Sequence, residues 1–170
     1  LINEQFIGKE KLIEPNVKAL EIGYSYAEEN FKGLCDIKVN KSDKTEGLIL
    51  TSGNDAAGLG CVYGGATFCA WYPITPSTSL AESYSNYSEK LRIEIGTDKN
   101  KFAFIQAEDE LAAIGMTIGA NWNGARGFTA TSGPGISLMS EFIGLAYFAE
   151  VPSVIFDVQR GGPSTGMPTR

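Results

Sequence analysis

The spacing of apolar positions changes character near residue 47. Before it there is one helical pattern. From Pro15, the residues Val17, Leu20, Ile22, Tyr24 and Ala27 recur at near-helical spacing, and Gly33 can end that helix. Residues 1–14 show no clear periodicity. The stretch Asp36 to Glu46 is charged and polar with no core pattern, and reads as a connector. From Gly47 onward, four short apolar runs alternate with four helical segments. Leu48–Thr51 reads as the first strand. Asp55–Ala70 reads as a helix carrying Gly58, Gly60, Gly64 and Gly65. A helix over about Ser79–Glu94 and a strand at Phe102–Gln106 follow. Asp109–Asn123 is the next helix and Gly127–Thr131 the third strand. A last helix from Pro134 to Phe148 precedes a strand over Val151–Val158. Near-continuous apolar strands alternating with helices predict an α/β fold, a parallel sheet flanked by helices on both faces. Each glycine inside a helix costs about 1 kcal/mol relative to alanine, so several in one fold imply close backbone approach to the sheet or to a ligand.

One stretch breaks the alternation: Trp71-Tyr-Pro-Ile-Thr-Pro-Ser-Thr-Ser79. Each proline fixes its own φ and moves the preceding residue out of the helical region, so Tyr72 and Thr75 are biased to extended backbone. The segment reads as a rigid loop that presents the Thr75 hydroxyl. On spacing alone it is equally a turn with Thr78 or Ser79 as the N-cap of the next helix.

Composition narrows the chemistry. At 170 residues and 43% hydrophobic, the chain suits one domain with a tail. The boundary falls between residues 1–46 and 47–170. Both ends read as cuts in a longer polypeptide. A formal net charge of −6 and the lack of a basic stripe argue against nucleic-acid binding. No apolar run reaches membrane-spanning length and no signal-peptide pattern is visible. The three cysteines, Cys35, Cys61 and Cys69, form no C-x-x-C and suit a reducing cytoplasm. They are too few for an iron–sulfur cluster held by this chain alone. The sequence contains no histidine, so Ser–His and Cys–His nucleophile systems within the chain are excluded.

In open parallel sheets ligands bind beyond the carboxyl ends of the strands. The residues placed there by the pattern are Ser52 to Asp55, then Glu108, Asp109 and Glu110, then Ser132-Gly-Pro-Gly135, and finally Gln159, Arg160 and the Gly/Pro/Ser/Thr run after it. Some of the acids complement a helix dipole. Ser132-Gly-Pro-Gly is either a cap with proline in the first turn or an anion nest. Arg160 needs a partner, which is either a carboxylate of the domain or one of a substrate. Gly58-x-Gly60-x-x-x-Gly64 falls inside a helix and lacks the strand–turn context of a dinucleotide fingerprint.

The ordered set Tyr72-Pro-Ile-Thr-Pro-Ser-Thr78, Gln106-Ala-Glu-Asp-Glu-Leu-Ala-Ala-Ile-Gly-Met-Thr-Ile-Gly-Ala120, Thr129-Ala-Thr-Ser-Gly-Pro-Gly135 and Val158-Gln-Arg-Gly-Gly-Pro-Ser-Thr-Gly-Met-Pro-Thr169 closely resembles the alpha subunit of 2-oxoacid:ferredoxin oxidoreductases, especially the 2-oxoglutarate type. The resemblance covers about Gly47 to Arg170, and residues 1–31 look like the tail of the gamma domain that precedes alpha in fused versions. It implies a thiamine diphosphate enzyme, of which this chain is the pyrimidine-binding domain. Magnesium, the diphosphate site and [4Fe-4S] clusters are then expected on a beta partner, coenzyme A as co-substrate and ferredoxin as electron acceptor. In this cofactor class a carboxyl group hydrogen-bonds N1′ of the aminopyrimidine and favours the tautomer that takes the reactive carbon's proton. Register against the family's Glu-x₄-Gly-x₃-Gly pattern selects Glu110, with Gly115 and Gly119. Glu108 is the second choice. Thr75 and Arg160 resemble the family's substrate contacts, and Pro73, Ile74 and Gly133 its cofactor contacts. The distal carboxylate of 2-oxoglutarate needs a further cation, from Arg170 or a partner. A different reading keeps the fold and drops the chemistry: a noncatalytic assembly or regulatory module with an empty pocket.

Overall fold

A computed structural model describes residues 1–34, 37–97 and 99–162. The chain divides into two compact units, Leu1–Leu48 and Ile49–Arg170. In the first, a short helix α1 (Ile2–Gln5) and a 3₁₀ turn (Glu10–Leu12) lead into α2 (Ile13–Phe31). The apolar stripe of α2 is not buried within this unit: Leu20 and Tyr24 are 62% and 67% exposed.

The second unit is the α/β domain. Its elements are α3 (Gly53–Tyr63), β1 (Phe68–Trp71), α4 (Thr78–Leu91), β2 (Ala103–Gln106), α5 (Glu110–Trp122), β3 (Gly127–Thr131), α6 (Gly133–Phe148) and β4 (Val154–Asp157). The described strands form one parallel sheet in the order β2-β1-β3-β4.

One strand expected from the sequence is displaced. Leu48–Thr51 is not a strand: it lies outside the sheet, with Ile49 and Leu50 85% and 95% exposed. The first strand is instead Phe68–Trp71, inside the stretch whose apolar content resembled the end of a helix. A short apolar run cannot be told apart from a helix segment by periodicity alone. The glycines decide it. Gly64 caps α3, with its N–H on the Gly60 carbonyl at 2.7 Å. Gly65 follows at φ +86°, a conformation that favours glycine, and the Ala66 N–H returns to the Cys61 carbonyl at 2.9 Å. Gly64 and Gly65 therefore end the helix rather than occupy its interior.

Two cores sandwich the sheet. On one face Val62 of α3 and Leu80, Ala81 and Tyr84 of α4 pack with Cys69, Trp71, Phe128 and Ala130. Tyr84 meets Phe128 edge-on at 4.9 Å and its hydroxyl donates to the Ala66 carbonyl at 3.1 Å. Burial pushes its phenol up to about 12. On the other face Ile114 and Ile118 of α5 pack with Met139 and Ala146 of α6. Gly58 permits the contact between α3 and α4, since a Cβ there would stand 2.8 Å from both the Ser83 Cβ and the Tyr84 backbone N. Right-handed crossovers account for the layering: β1 to β2 runs one way along the sheet, while β2 to β3 and β3 to β4 run the other. The direction reverses at the β1–β3 junction, where the registered ladder covers only Phe68↔Gly127 and Cys69↔Phe128. Among the described residues no helix is long and apolar enough to cross a membrane.

Candidate active site

Moving the first strand changes which residues lie at the ligand side of the sheet. Ser52 to Asp55 do not follow a strand; they form the start of α3, where Ser52 caps the Asp55 N–H at 3.1 Å. The segment beyond the carboxyl end of β1 is the Pro-Thr-Pro loop itself. Four segments therefore leave the same edge of the sheet: residues 72–77 after β1, 107–110 after β2, 132–135 after β3 and 158–162 after β4. The reversal of strand direction at β1–β3 makes this edge the place where such folds bind ligands.

The loop after β1 is braced from both sides. The Ile74 carbonyl accepts from the N–H groups of Ser77 (2.9 Å) and Thr78 (3.2 Å), and from the Ser77 and Thr78 hydroxyls at 2.9 and 3.3 Å. Ser77, rather than Thr78 or Ser79, takes the N-cap position of α4. From α3, Asn54 Nδ2 donates to the Pro76 carbonyl at 2.9 Å and to Ser79 Oγ at 2.7 Å. The Thr75–Pro76 peptide is cis. Within this frame Pro73 and Thr75 are exposed and Ile74 is half-buried. The Thr75 hydroxyl makes no hydrogen bond to any described residue.

The three acids after β2 separate by environment. Asp109 is the N-cap of α5 and accepts from the Ala112 N–H at 2.7 Å. Glu108 is exposed. Glu110 is 8% exposed, and its carboxylate forms no hydrogen bond or ion pair among the described residues. The residue is buried along its stem while its carboxylate oxygens still reach open space. Such a group suits a hydrogen-bonding partner supplied from outside the chain, as the ring nitrogen of an aminopyrimidine is. Among the described residues no group of three or more His, Cys, Asp or Glu could hold a metal ion.

The first turn of α6 lies between the Glu110 and Arg160 segments. Ser132 precedes it as N-cap without a side-chain cap bond, and Pro134 occupies the first turn. The Gly135 and Ile136 N–H groups bond the Ser132 carbonyl at 2.8 and 3.1 Å, so the turn is closed on itself. A Cβ on Gly133 would stand 2.8 Å from Gln159 Oε1 and 2.9 Å from the Arg160 carbonyl. A Cβ on Gly135 would collide with Thr131 Oγ1 and stand 3.0 Å from Glu110 Cγ. Arg160 is half-buried; its Nε is buried and unpartnered, and no described carboxylate pairs with it. Of the two partners the sequence leaves open, a carboxylate of the domain finds no support. The Thr131 and Ser132 hydroxyls are buried and unpartnered.

The structure thus brings Thr75, Glu110, Gly133 and Arg160 to one edge of the sheet. Two contacts of residues already placed at strand ends by the sequence are not visible in it. Asn54 reaches the Pro76 carbonyl from 22 positions away, and Gly135 meets Glu110 across two elements. Only the doubled glycine of Gly133-Pro-Gly135 hints at crowding. Arg170, the candidate for a second cation, lies outside the described residues, as does Cys35.

A parallel α/β domain with a buried glutamate and an arginine, both without a charged partner among the described residues, at the carboxyl edge of its strands defines the class, a ligand-binding α/β domain. The family follows from comparison. Residues 59–170 match the family described as "Pyruvate flavodoxin/ferredoxin oxidoreductase, thiamine diP-bdg", and the chain belongs to it. It is 42% identical over 99% of its length to "2-oxoacid:ferredoxin oxidoreductase 2, subunit alpha" of Aeropyrum pernix, and spans 27% of that protein. It is 50% identical over 69% of its length to the 2-oxoglutarate synthase subunit KorA of Methanothermobacter thermautotrophicus, spanning 29% of it. Among solved structures, a 2-oxoglutarate:ferredoxin oxidoreductase from Magnetococcus marinus, with 2-oxoglutarate, coenzyme A and succinyl-CoA bound, superposes with a TM-score of 0.72 at 38% identity. That match covers 99% of this chain and 28% of the other. The chain therefore spans between a quarter and a third of the length of these relatives.

Proposed function

We propose that this chain is the pyrimidine-binding part of a thiamine diphosphate-dependent 2-oxoacid:ferredoxin oxidoreductase, and that 2-oxoglutarate is its 2-oxoacid. The observation that carries the reading is Glu110: a residue 8% exposed whose carboxylate has no partner among the described residues, at the carboxyl edge of a parallel sheet. The family match and the 2-oxoglutarate-type relatives support the substrate class. The cofactor supplies a carbon nucleophile for the 2-oxo carbon and a sink for the electrons left by decarboxylation. The residues of this chain supply the rest. Glu110 hydrogen-bonds N1′ of the aminopyrimidine and holds the proton there. Pro73, Ile74 and Gly133 line the ring's approach. Thr75 donates its free hydroxyl to the substrate, and Arg160 offers a planar fork to the substrate carboxylate at C1.

Magnesium, the diphosphate contacts and the iron–sulfur clusters are assigned to a beta partner, with coenzyme A as acyl acceptor and ferredoxin as electron acceptor. The two cysteines placed by the structure are buried or half-buried free thiols. Burial pushes Cys61 up to about 11 and Cys69 higher still, which disfavours the thiolate needed to ligate iron. Residues 1–46 are assigned to the tail of a gamma-like domain and the linker after it. In support, the Aeropyrum alpha subunit aligns with 99% of this chain but the KorA subunits with only 69%.

The test is 2-oxoacid-dependent reduction of a low-potential acceptor, with coenzyme A present, by the full-length alpha chain coexpressed with its beta partner. Turnover with 2-oxoglutarate is expected, and Arg160→Ala should raise KM for the 2-oxoacid about tenfold or more, the scale of a lost charge-assisted pair. No turnover with any 2-oxoacid, and no thiamine diphosphate bound, would leave the noncatalytic assembly-module reading in its place.

A further inference from the structure

We infer that the first turn of α6 is the spacer that sets Glu110 and Arg160 in register, and that Gly133 and Gly135 are two positioning residues with separable roles. The inference rests on the reading of Glu110 and Arg160 just given, and goes beyond it by adding what holds the two apart.

The two candidate groups come from different elements. Glu110 opens α5, and Arg160 sits in the segment after β4. Neither is fixed by a hydrogen bond or ion pair of its own side chain among the described residues. Their positions are therefore set by packing and by backbone, and the same helical turn touches both. On one side, Gly133 leaves room for the Gln159 amide (2.8 and 3.0 Å from a would-be Cβ) and the Arg160 carbonyl (2.9 Å). Next along, Pro134 Cγ lies 2.5 Å from where a Cβ on Gly162 would stand, so the 159–162 segment follows this turn at two points. On the other side, Gly135 leaves room for Thr131 Oγ1 and for Glu110 Cγ (3.0 Å). Neither glycine has a positive φ, so neither is needed for its backbone conformation. What both provide is the missing Cβ. Backbone neighbours cannot yield as the end of a flexible side chain can, and a buried carboxyl stem has little space to move into. A methyl group at 133 therefore moves the Arg160 segment, and a methyl at 135 moves Glu110. The turn is closed by its own Ser132 bonds, and each added methyl faces only the nearer of the two groups.

The test uses the assembled full-length alpha–beta enzyme, with two readouts in each variant: the KM–kcat split for the 2-oxoacid, and the near-ultraviolet circular dichroism of bound thiamine diphosphate, which reports the aminopyrimidine's tautomer. Gly133→Ala should raise KM for the 2-oxoacid roughly tenfold or more. Because Gly133 also lines the ring's approach, cofactor affinity is free to fall in this variant, and the tautomer signal is read at saturating thiamine diphosphate, where it should persist. Gly135→Ala should lower kcat about tenfold, since Glu110 Cγ at 3.0 Å has to give way, and reduce the tautomer signal while KM stays within about twofold. Two double variants answer the concern that either single variant fails to fold. Thr131→Ala with Gly135→Ala removes the collision with the hydroxyl and keeps the crowding of Glu110. Gln159→Ala with Gly133→Ala removes the amide and keeps the crowding of the Arg160 carbonyl. Each is read against its Thr131→Ala or Gln159→Ala parent, and should keep its defect in the same parameter. Defects in both parameters from each glycine, or none from either double variant, would overturn the inference. Glu110→Gln and Arg160→Ala run alongside: if these two are themselves without effect, it is the assignment of the site that fails, a result distinct from failure of the spacer.

Discussion

At the residue scale, environment distinguishes groups that composition treats alike. Glu108, Asp109 and Glu110 are three adjacent acids, yet one is exposed, one caps α5 and one is a buried residue whose carboxylate has no partner among the described residues. Asp55 is a fourth acid with a different task. Hydrogen bonds from Ser83 first, and then from Ser52, hold its carboxyl below the ordinary 3.8. The bond from Ser83 ties α3 to α4 beside Asn54, which reaches the Pro76 carbonyl. Because the folded value lies below the unfolded one, the stability this group adds is present above 3.8 and is lost as pH falls through the folded value. Wild type should therefore lose more stability than Asp55→Asn between roughly pH 6 and pH 3, as read by denaturant unfolding. Equal losses in the two proteins would remove Asp55 from this role.

At the scale of elements, the sequence was most legible where period and motif agreed. The helices now placed at Thr78–Leu91, Glu110–Trp122 and Gly133–Phe148 and the strands at Ala103–Gln106, Gly127–Thr131 and Val154–Asp157 fall within a few residues of their expected positions. Leu48–Thr51 misled because a short apolar run bears no mark of where it packs; Phe68–Trp71 was missed because it is only four residues long and follows directly on the glycine-rich helical pattern, although Phe and Trp themselves favour strands. The candidate site was legible as motifs, but the burial of Glu110 and the crowding at Gly133 and Gly135 arise between elements distant in the chain. The core shows the same dependence. Phe128 on β3 is 2% exposed and meets Tyr84 of α4 at 4.9 Å and Phe156 of β4 at 5.5 Å. Phe128→Ala should cost about 3–5 kcal/mol in denaturant unfolding. A cost under about 1 kcal/mol would mean that this junction is not the centre of the core.

At the scale of the molecule, the proposed site is one that a second domain would complete. Its candidate carboxyl, hydroxyl and arginine stand at one edge of the sheet, and among the described residues nothing resembles a metal cluster. Apolar surface also remains open on α6, where Tyr147 and Phe148 are 87% and 88% exposed. The central claim is that Glu110 activates the cofactor held with a beta partner. It is tested most directly by kcat of Glu110→Gln in the assembled full-length enzyme with saturating thiamine diphosphate and 2-oxoglutarate. The amide keeps the shape of the side chain and cannot hold the proton. A loss of roughly 100-fold or more is predicted, the scale of general acid–base catalysis. Full activity in Glu110→Gln would contradict the assignment and turn attention to Glu108.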